Sequence, residues 1–353
     1  MRLPKKILIP AVLLLLLAGG LLLAYLKYEP SRHFRGTDIP VLAQPEPARE
    51  DAAASAGLTP DSSTDGPAAV PAAGTAGEAA AGPQQKEVRG AHGSFNLLLL
   101  ATDARAEEAS RTDVLMLVHV NPEQNAVNLV SIPRDTRVHL PGIGLTKINH
   151  AHAMGEITGK GGHAGTEAAI QAVSNLCRCT INYYAKTDFE GFEHFVDTIG
   201  GLDVELDAPV KLTYYHKTLP AGKQHWNGTT TLQFVRERKS LADGDSARQQ
   251  NQAFVIKSIA RKMLVPDNLT RLPALIEQVK EDILDTNLSD ADMISLAWMV
   301  RGIDPEEMGY VQFPGSSGTA FDPLVKADLY YWLPDMKAWG GLSRQILGDA
   351  ADE

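Results

Sequence analysis

The sequence predicts an α/β domain with a central sheet, preceded by one transmembrane helix and a disordered linker. Three observations carry that expectation. Residues 95–101, 114–120 and 126–132 are apolar runs of strand length, the kind that fills a sheet covered on both faces. Helical patterns follow at about 165–176, 188–199 and 248–263. Ahead of the strands, twenty uncharged residues at 7–26 give way to a stretch almost without large apolar side chains.

At a rise of about 1.5 Å per residue, the run 7–26 just spans a bilayer core. It is too long for a typical cleavable signal, and Leu17-Ala18-Gly19-Gly20 is a lipoprotein-like signal without its cysteine. The run reads as an uncleaved anchor after a cytoplasmic tail at 1–6. Arg2, Lys5 and Lys6 before it nearly balance Lys27, Arg32 and Arg35 after it. The short tail, with its charges close to the span, favours the N-terminus inside and the rest outside. A linker is expected over 27–92. Between 45 and 86 the composition collapses to Ala, Gly, Pro, Ser, Thr and acidic residues, which bury too little surface to offset ordering entropy. The folded domain is expected at 93–318, with a helical extension at 319–353 carrying Tyr330, Tyr331, Trp332 and Trp339.

Within the domain, 114–120 and 126–132 are joined by Asn121-Pro122-Glu123-Gln124-Asn125, a hairpin composition. Each strand run has charges at an end: Asp103 and Arg105, Arg111 and Asp113, then Arg134 and Asp135. Charges there sit at the rim of a sheet, where α/β folds build ligand sites. The Gly-rich turn at 155–161 is one residue short of a phosphate-binding P-loop, and Gly161 stands where Ser or Thr is needed. Strands are expected at 181–187, 202–206 and 310–313, and Asp188 as the N-cap of the helix to 199. Asn227-Gly228 opens a short helix towards Arg236. Cys177 and Cys179, the only cysteines, would share a face on a strand, near the outer limit for a disulfide, and read first as small buried hydrophobes with their oxidation left open; His150-Ala151-His152 is a weak metal signal.

A formal charge of −10 on 353 residues excludes a phosphate-tracking nucleic-acid surface. Local arginines in so acidic a chain point to a small anionic ligand. The densest group is Arg236-Glu237-Arg238-Lys239, followed by Asp243, Asp245, Arg248 and Gln252. Where the backbone is extended, Arg236 and Arg238 leave on one side and can present two guanidinium forks to a pyrophosphate.

Taken in order, these motifs resemble the LytR-CpsA-Psr family of bacterial envelope proteins. The resemblance rests on the strand ending in Asp103, Arg111-Thr112-Asp113, Ser131-Ile132-Pro133-Arg134-Asp135-Thr136 and Lys147-Ile148-Asn149. It continues through Asp188-Phe189-Glu190-Gly191-Phe192, Gly200-Gly201-Leu202-Asp203-Val204, Asn227-Gly228 and Val235-Arg236-Glu237-Arg238, to Asp245, Arg248 and Gln252. It covers about 95–315, with Thr102 standing where Ser is common and Asn251 where a second arginine often follows.

The resemblance implies a three-layer α-β-α domain with a central mixed sheet, holding a polyprenyl-pyrophosphate lipid in an apolar tunnel. It implies transfer of the lipid-linked glycopolymer, with its phosphate, to peptidoglycan or another envelope glycan. Arg111, Arg134, Arg236 and Arg238 would hold the pyrophosphate, and Asp103 and Asp113 a Mg²⁺ ion. Lys147, Asn149, Arg248 and Gln252 join Arg111 as substrate-binding candidates. Asp135 and Asp245 are alternative bases for the attacking hydroxyl, and an ion pair is the competing role for Asp135. A lipid-binding envelope regulator without turnover and a lipid pyrophosphatase are the alternative functions. Deleting about half of residues 45–86 is expected to leave the domain's melting temperature nearly unchanged; a large drop in a thermal melt would show that the segment packs on the domain.

Overall fold

The computed structural model describes residues 25, 27–46, 93–103, 110–159, 162–240, 245–263, 265, 268, 271–283 and 285–348. The expected span at 7–26, Tyr25 apart, lies outside them, as do 47–92 of the expected linker. Among the described residues no helix is long and apolar enough to cross a membrane.

The chain enters through α1 (Pro30–Gly36), whose first turn is capped by the Glu29 carboxylate accepting from the Arg32 amide. A three-strand antiparallel meander follows: β1 (Phe95–Thr102), β2 (Thr112–Asn121) and β3 (Ala126–Ser131). Asn121 Oδ1 closes the β2–β3 turn by accepting from the amides of Glu123 and Gln124. A small hairpin, β4 (Arg137–Leu140) and β5 (Gly144–Lys147), leads to α2 (His150–Gly159) and α3 (Gly162–Cys177). β6 (Tyr183–Asp188) then returns parallel to β1. Asp188 caps α4 (Phe189–Thr198) by accepting from the Gly191 amide. β7 (Leu202–Leu206), β8 (Val210–Leu212), β9 (Lys217–Leu219) and β10 (Gly222–Trp226) form two short ribbons. Asn227 caps α5 (Gly228–Arg236), and α6 (Asp245–Met263) follows. α7 (Leu272–Val279), β11 (Asp285–Thr286), α8 (Asp290–Arg301) and β12 (Gly309–Gln312) complete the frame. The sheet order is β11-β6-β1-β2-β3-β12, with β6 and β12 parallel to their inner neighbours. It is mixed, as expected.

Side chains of successive strand residues point to opposite faces, and both faces here are covered. Leu98, Leu100, Leu115 and Leu117 pack against Ala169 and Val173 of α3 on one side. Leu97, Met116, Val118 and Leu129 face Ala253 and Ala260 of α6 and Met299 of α8 on the other. The result is the expected α-β-α arrangement. A third cluster around Trp226, Phe234 and Val255 ties α4, α5 and α6 together.

Three expectations are corrected. Residues 27–46 are not linker: Phe34 is buried with its ring 4.5 Å from that of Phe95, His33 reaches Asp292 at 2.7 Å, and Ala43 bridges Ile181. The physical reason is that Phe34, Ile39 and Ala43 supply apolar surface that 45–86 lacks. The 319–353 helical extension is instead a hairpin, β13 (Gly315–Asp322) with β14 (Ala327–Pro334), and then α9 (Met336–Leu347). Its border falls inside β13, and Trp339 of α9 lies in the main core stacked on Phe313. Cys177 and Cys179 are buried but disulfide-bonded, with Arg178 between them turning the chain at φ 52°.

Phe34→Ala is expected to destabilise the domain by about 3–5 kcal/mol in urea unfolding, through lost transfer energy and the void left behind. A change below about 1 kcal/mol would mean that α1 does not belong to the folded unit.

Candidate active site at the mouth of an apolar cavity

The core face shared by β1, β2 and β3 is not filled by side chains alone. A cavity of about 810 Å³ lies between it and α6 and α8, walled by residues such as Leu97, Leu99, Val118, Val127, Ile256 and Met299. Ligand sites fall in this size range, with mostly apolar walls and a few convergent polar groups. Here the polar groups include Asp103, Asp113, Arg134, Arg236, Arg238, Arg248 and Gln252, with Lys186 and Asp282 also in the wall.

Each is positioned by a local feature. Asp103 ends β1, its amide donating to Arg111 O at 3.1 Å. Asp113 is the extra residue of a β-bulge: Ala101 pairs with Val114 and Thr102 with Thr112, leaving Asp113 between them. Such a bulge re-aims a side chain at the rim of a sheet. Arg134 follows β3 and donates from Nη1 to Asp113 Oδ1 at 2.5 Å. Its carbonyl accepts from the Asn149 amide at 3.2 Å, and the Ile148 amide donates to Thr136 O at 2.8 Å. Arg248 and Gln252 lie four apart on α6, both buried, so one helix face offers both to the cavity.

Arg236 and Arg238 bracket Glu237, whose backbone is extended (φ −68°, ψ 134°). The two guanidiniums accordingly share a side, as expected, and Glu237 turns inward and is buried. Its carboxylate accepts from the Thr213 amide at 2.5 Å and the Ser240 amide at 3.0 Å. Burial alone would push its pKa up, but these amides more than offset that and hold it below the usual carboxylate value. Arg236 lies with Cζ 4.4 Å from the Phe189 ring centroid, and its Nη1 donates to Tyr215 Oη at 3.4 Å. The guanidinium is thus held by a ring face and a hydroxyl.

Arg111, Asp135, Lys147 and Asn149 stand outside the cavity wall. Arg111 is exposed at the start of β2. Asp135 pairs with Lys147 Nζ at 2.7 Å and lies 3.8 Å from Arg134 Nε, so the ion-pair role holds for it. Lys147 also lies 5.9 Å over the Tyr331 ring, and Asn149 is buried behind Arg134. The side chain of Asp245, first residue of α6, lies outside the described residues. Sequence reasoning missed Phe189, Tyr214, Tyr215 and Asp282 in the cavity wall and the buried role of Glu237; ordinary aromatic and acidic residues carry no spacing signal.

Glu237→Ala strands two inward-facing amides, so a loss of about 1–3 kcal/mol is expected at pH 7. The lowered pKa sets the sign of the pH dependence: the ionised contribution is present above the unfolded-state value and fades as pH falls through the folded one. Urea melts at pH 7 and pH 3 should show the wild-type advantage shrinking in acid. An advantage that grows in acid would disprove the amide clamp.

Known proteins share this fold. The LytR_cpsA_psr family model matches residues 70–342. The polyisoprenyl-teichoic acid–peptidoglycan teichoic acid transferase TagU of Bacillus anthracis is 32% identical over 241 residues, covering 68% of this chain and 74% of TagU. The crystal structure of B. subtilis TagV superposes with a TM-score of 0.61 at 25% identity, covering 73% of this chain and 97% of TagV. TagT bound to LI-WTA superposes with a TM-score of 0.58 at 25% identity, covering 73% and 90%. The chain belongs to the LytR_cpsA_psr family.

Proposed function

We propose that the chain is a membrane-anchored phosphotransferase that moves a glycopolymer from a polyprenyl-pyrophosphate carrier to peptidoglycan or another envelope glycan. The observation that carries this reading is the pairing of an apolar cavity with four arginines at its polar end. A polyprenyl tail matches the apolar walls, each buried CH₂ contributing about 0.8 kcal/mol. A pyrophosphate matches the guanidiniums of Arg134, Arg236, Arg238 and Arg248. Similarity to TagU, a polyisoprenyl-teichoic acid–peptidoglycan teichoic acid transferase, supports the same donor and acceptor classes. The anchor at 7–26 would leave the domain outside the membrane, next to both.

In the proposed step an acceptor hydroxyl oxygen attacks the phosphorus that carries the glycopolymer. A new P–O bond forms, the P–O bond to the bridging oxygen breaks, and polyprenyl phosphate leaves. Negative charge gathers on the leaving phosphate, so fixed guanidiniums aimed there lower the barrier more than any nucleophilic side chain would. The hydroxyl proton needs a carboxylate; Asp245 and Asp135 are the alternatives, Asp135 only on leaving its ion pair with Lys147. Asp103 and Asp113 both line the cavity, at neighbouring ends of β1 and β2, and offer oxygen only, which fits Mg²⁺. They would hold the ion. When bound it would neutralise phosphate charge.

The test is to incubate the full chain with a lipid-pyrophosphate oligosaccharide, with and without glycan acceptor. Transfer only with acceptor is expected; phosphate release without it would make the protein a pyrophosphatase. Arg236→Ala and Arg238→Ala should each weaken lipid binding about ten- to a hundredfold. Arg236→Lys should rescue incompletely, because an ammonium lacks the planar fork. Asp113→Ala should lower turnover and its Mg²⁺ dependence more than lipid retention. Thermal melts come first, since Asp113 also pairs with Arg134. Folded arginine variants with wild-type binding would refute the site, and an Asp113→Ala variant with intact Mg²⁺-dependent transfer would refute the metal assignment.

A further inference from the structure

We infer that the solvent-facing side of the β13–β14 hairpin is the docking platform for the acceptor, a neutral run of pyranose rings. This deepens the transfer reading above and rests on it. The hairpin register sets Ser317 opposite Trp332, Thr319 opposite Tyr330 and Phe321 opposite Asp328, and directly opposed residues share a face. Phe321 is 56% and Tyr330 46% exposed.

The opposite side is locked down. Asp322 is buried and accepts from Thr146 Oγ1 at 2.8 Å, Tyr331 Oη at 2.6 Å and the amides of Leu324 and Val325. The Tyr331 ring is covered by Arg137 at 5.3 Å. Trp332 is fixed as well: its Nε1 donates to Phe313 O at 3.0 Å, and a Cβ at Gly315 would sit 2.5 Å from that nitrogen. Only glycine lets the indole lie across the strand. The hairpin is therefore rigid, yet it leaves aromatic rings in water that no packing requirement explains.

Chemistry and position choose the occupant. Rings alternate with the hydroxyls of Ser317 and Thr319, and Asp328 is the only charge among the six. A cation-free face suits neither an anionic polymer nor an anionic lipid headgroup. A pyranose presents a C–H face to an aromatic ring and hydroxyls at its edge to Ser, Thr and Asp acceptors. The platform is continuous with the candidate site: the Trp332 amide donates to Asp135 O at 3.0 Å, and Trp332 bridges Thr136 in parallel. A glycan seated there runs towards the residues beside Arg134.

The probe is neutral β-linked N-acetylglucosamine strands, titrated onto the full chain in detergent without donor lipid. Neutral and anionic phospholipid vesicles form a parallel arm. The wild type should bind the strands, and the Phe321→Ala/Tyr330→Ala double variant should bind them about tenfold more weakly. Tyr330→Phe, which keeps the ring, should bind like the wild type, and donor-lipid affinity should not move. Both positions are exposed, and melts verify that the variants fold. A wild type that ignores the strands, or a double variant that binds them equally well, overturns the inference. So does a double variant that loses vesicle binding instead, or one that turns a dimer into a monomer by sedimentation. Ring-dependent strand binding without any transfer would sink the phosphotransferase reading and leave the platform standing.

Discussion

The structure depends on a sheet that is apolar on both faces and filled on only one. Leu98 meets a close-packed helix layer, whereas Leu97 and Leu99, one residue out of phase, line an open cavity. Apolar walls without partner atoms forgo dispersion contacts and cost stability. The stability must therefore come from the filled face and from clusters beside the cavity, above all the Trp226–Phe234–Phe254 group that holds α5 against α6. An unfilled face of this kind is a standing preference for an apolar ligand.

The polar end of the cavity poses the opposite problem, since several guanidiniums close together repel. Carboxylates spread around them balance the charge: Asp113 on Arg134, and Glu237 between Arg236 and Arg238 but turned away. Glu237 anchors the loop by accepting from the Thr213 and Ser240 amides and not by pairing with the arginines, so both forks stay exposed on the cavity side. Phe189 and Tyr215 orient Arg236 without neutralising it. A ligand that brings two negative phosphates would complete this balance.

The C-terminal hairpin and α9 are integral to the same arrangement. Asp322 joins the hairpin to β5 through Thr146, Trp332 holds the Asp135 backbone, and Trp339 donates to Cys177 O in the main core. Cutting the chain before residue 315 would remove the support behind Asp135 and Lys147 along with part of the core.

The strands β1, β2, β3, β6, β7 and β12, the helix starts at Asp188 and Asn227, and the shared side of Arg236 and Arg238 were legible in the sequence. Each follows from local periodicity or from short-range backbone geometry. Arg134, Arg248, Gln252 and the two carboxylates were legible as candidates only because they recur as motifs in order. What the sequence could not decide is set by contacts between distant residues. The bulge that isolates Asp113 depends on the register of β1 against β2. The burial of Phe34 depends on Phe95 and Tyr183, more than sixty residues away. The C-terminal aromatics allowed both a helix and a hairpin until Asp322 found Thr146 and Tyr331. Local pattern determines which elements form; which face stays empty, and which charges meet at its mouth, is decided only when those elements pack.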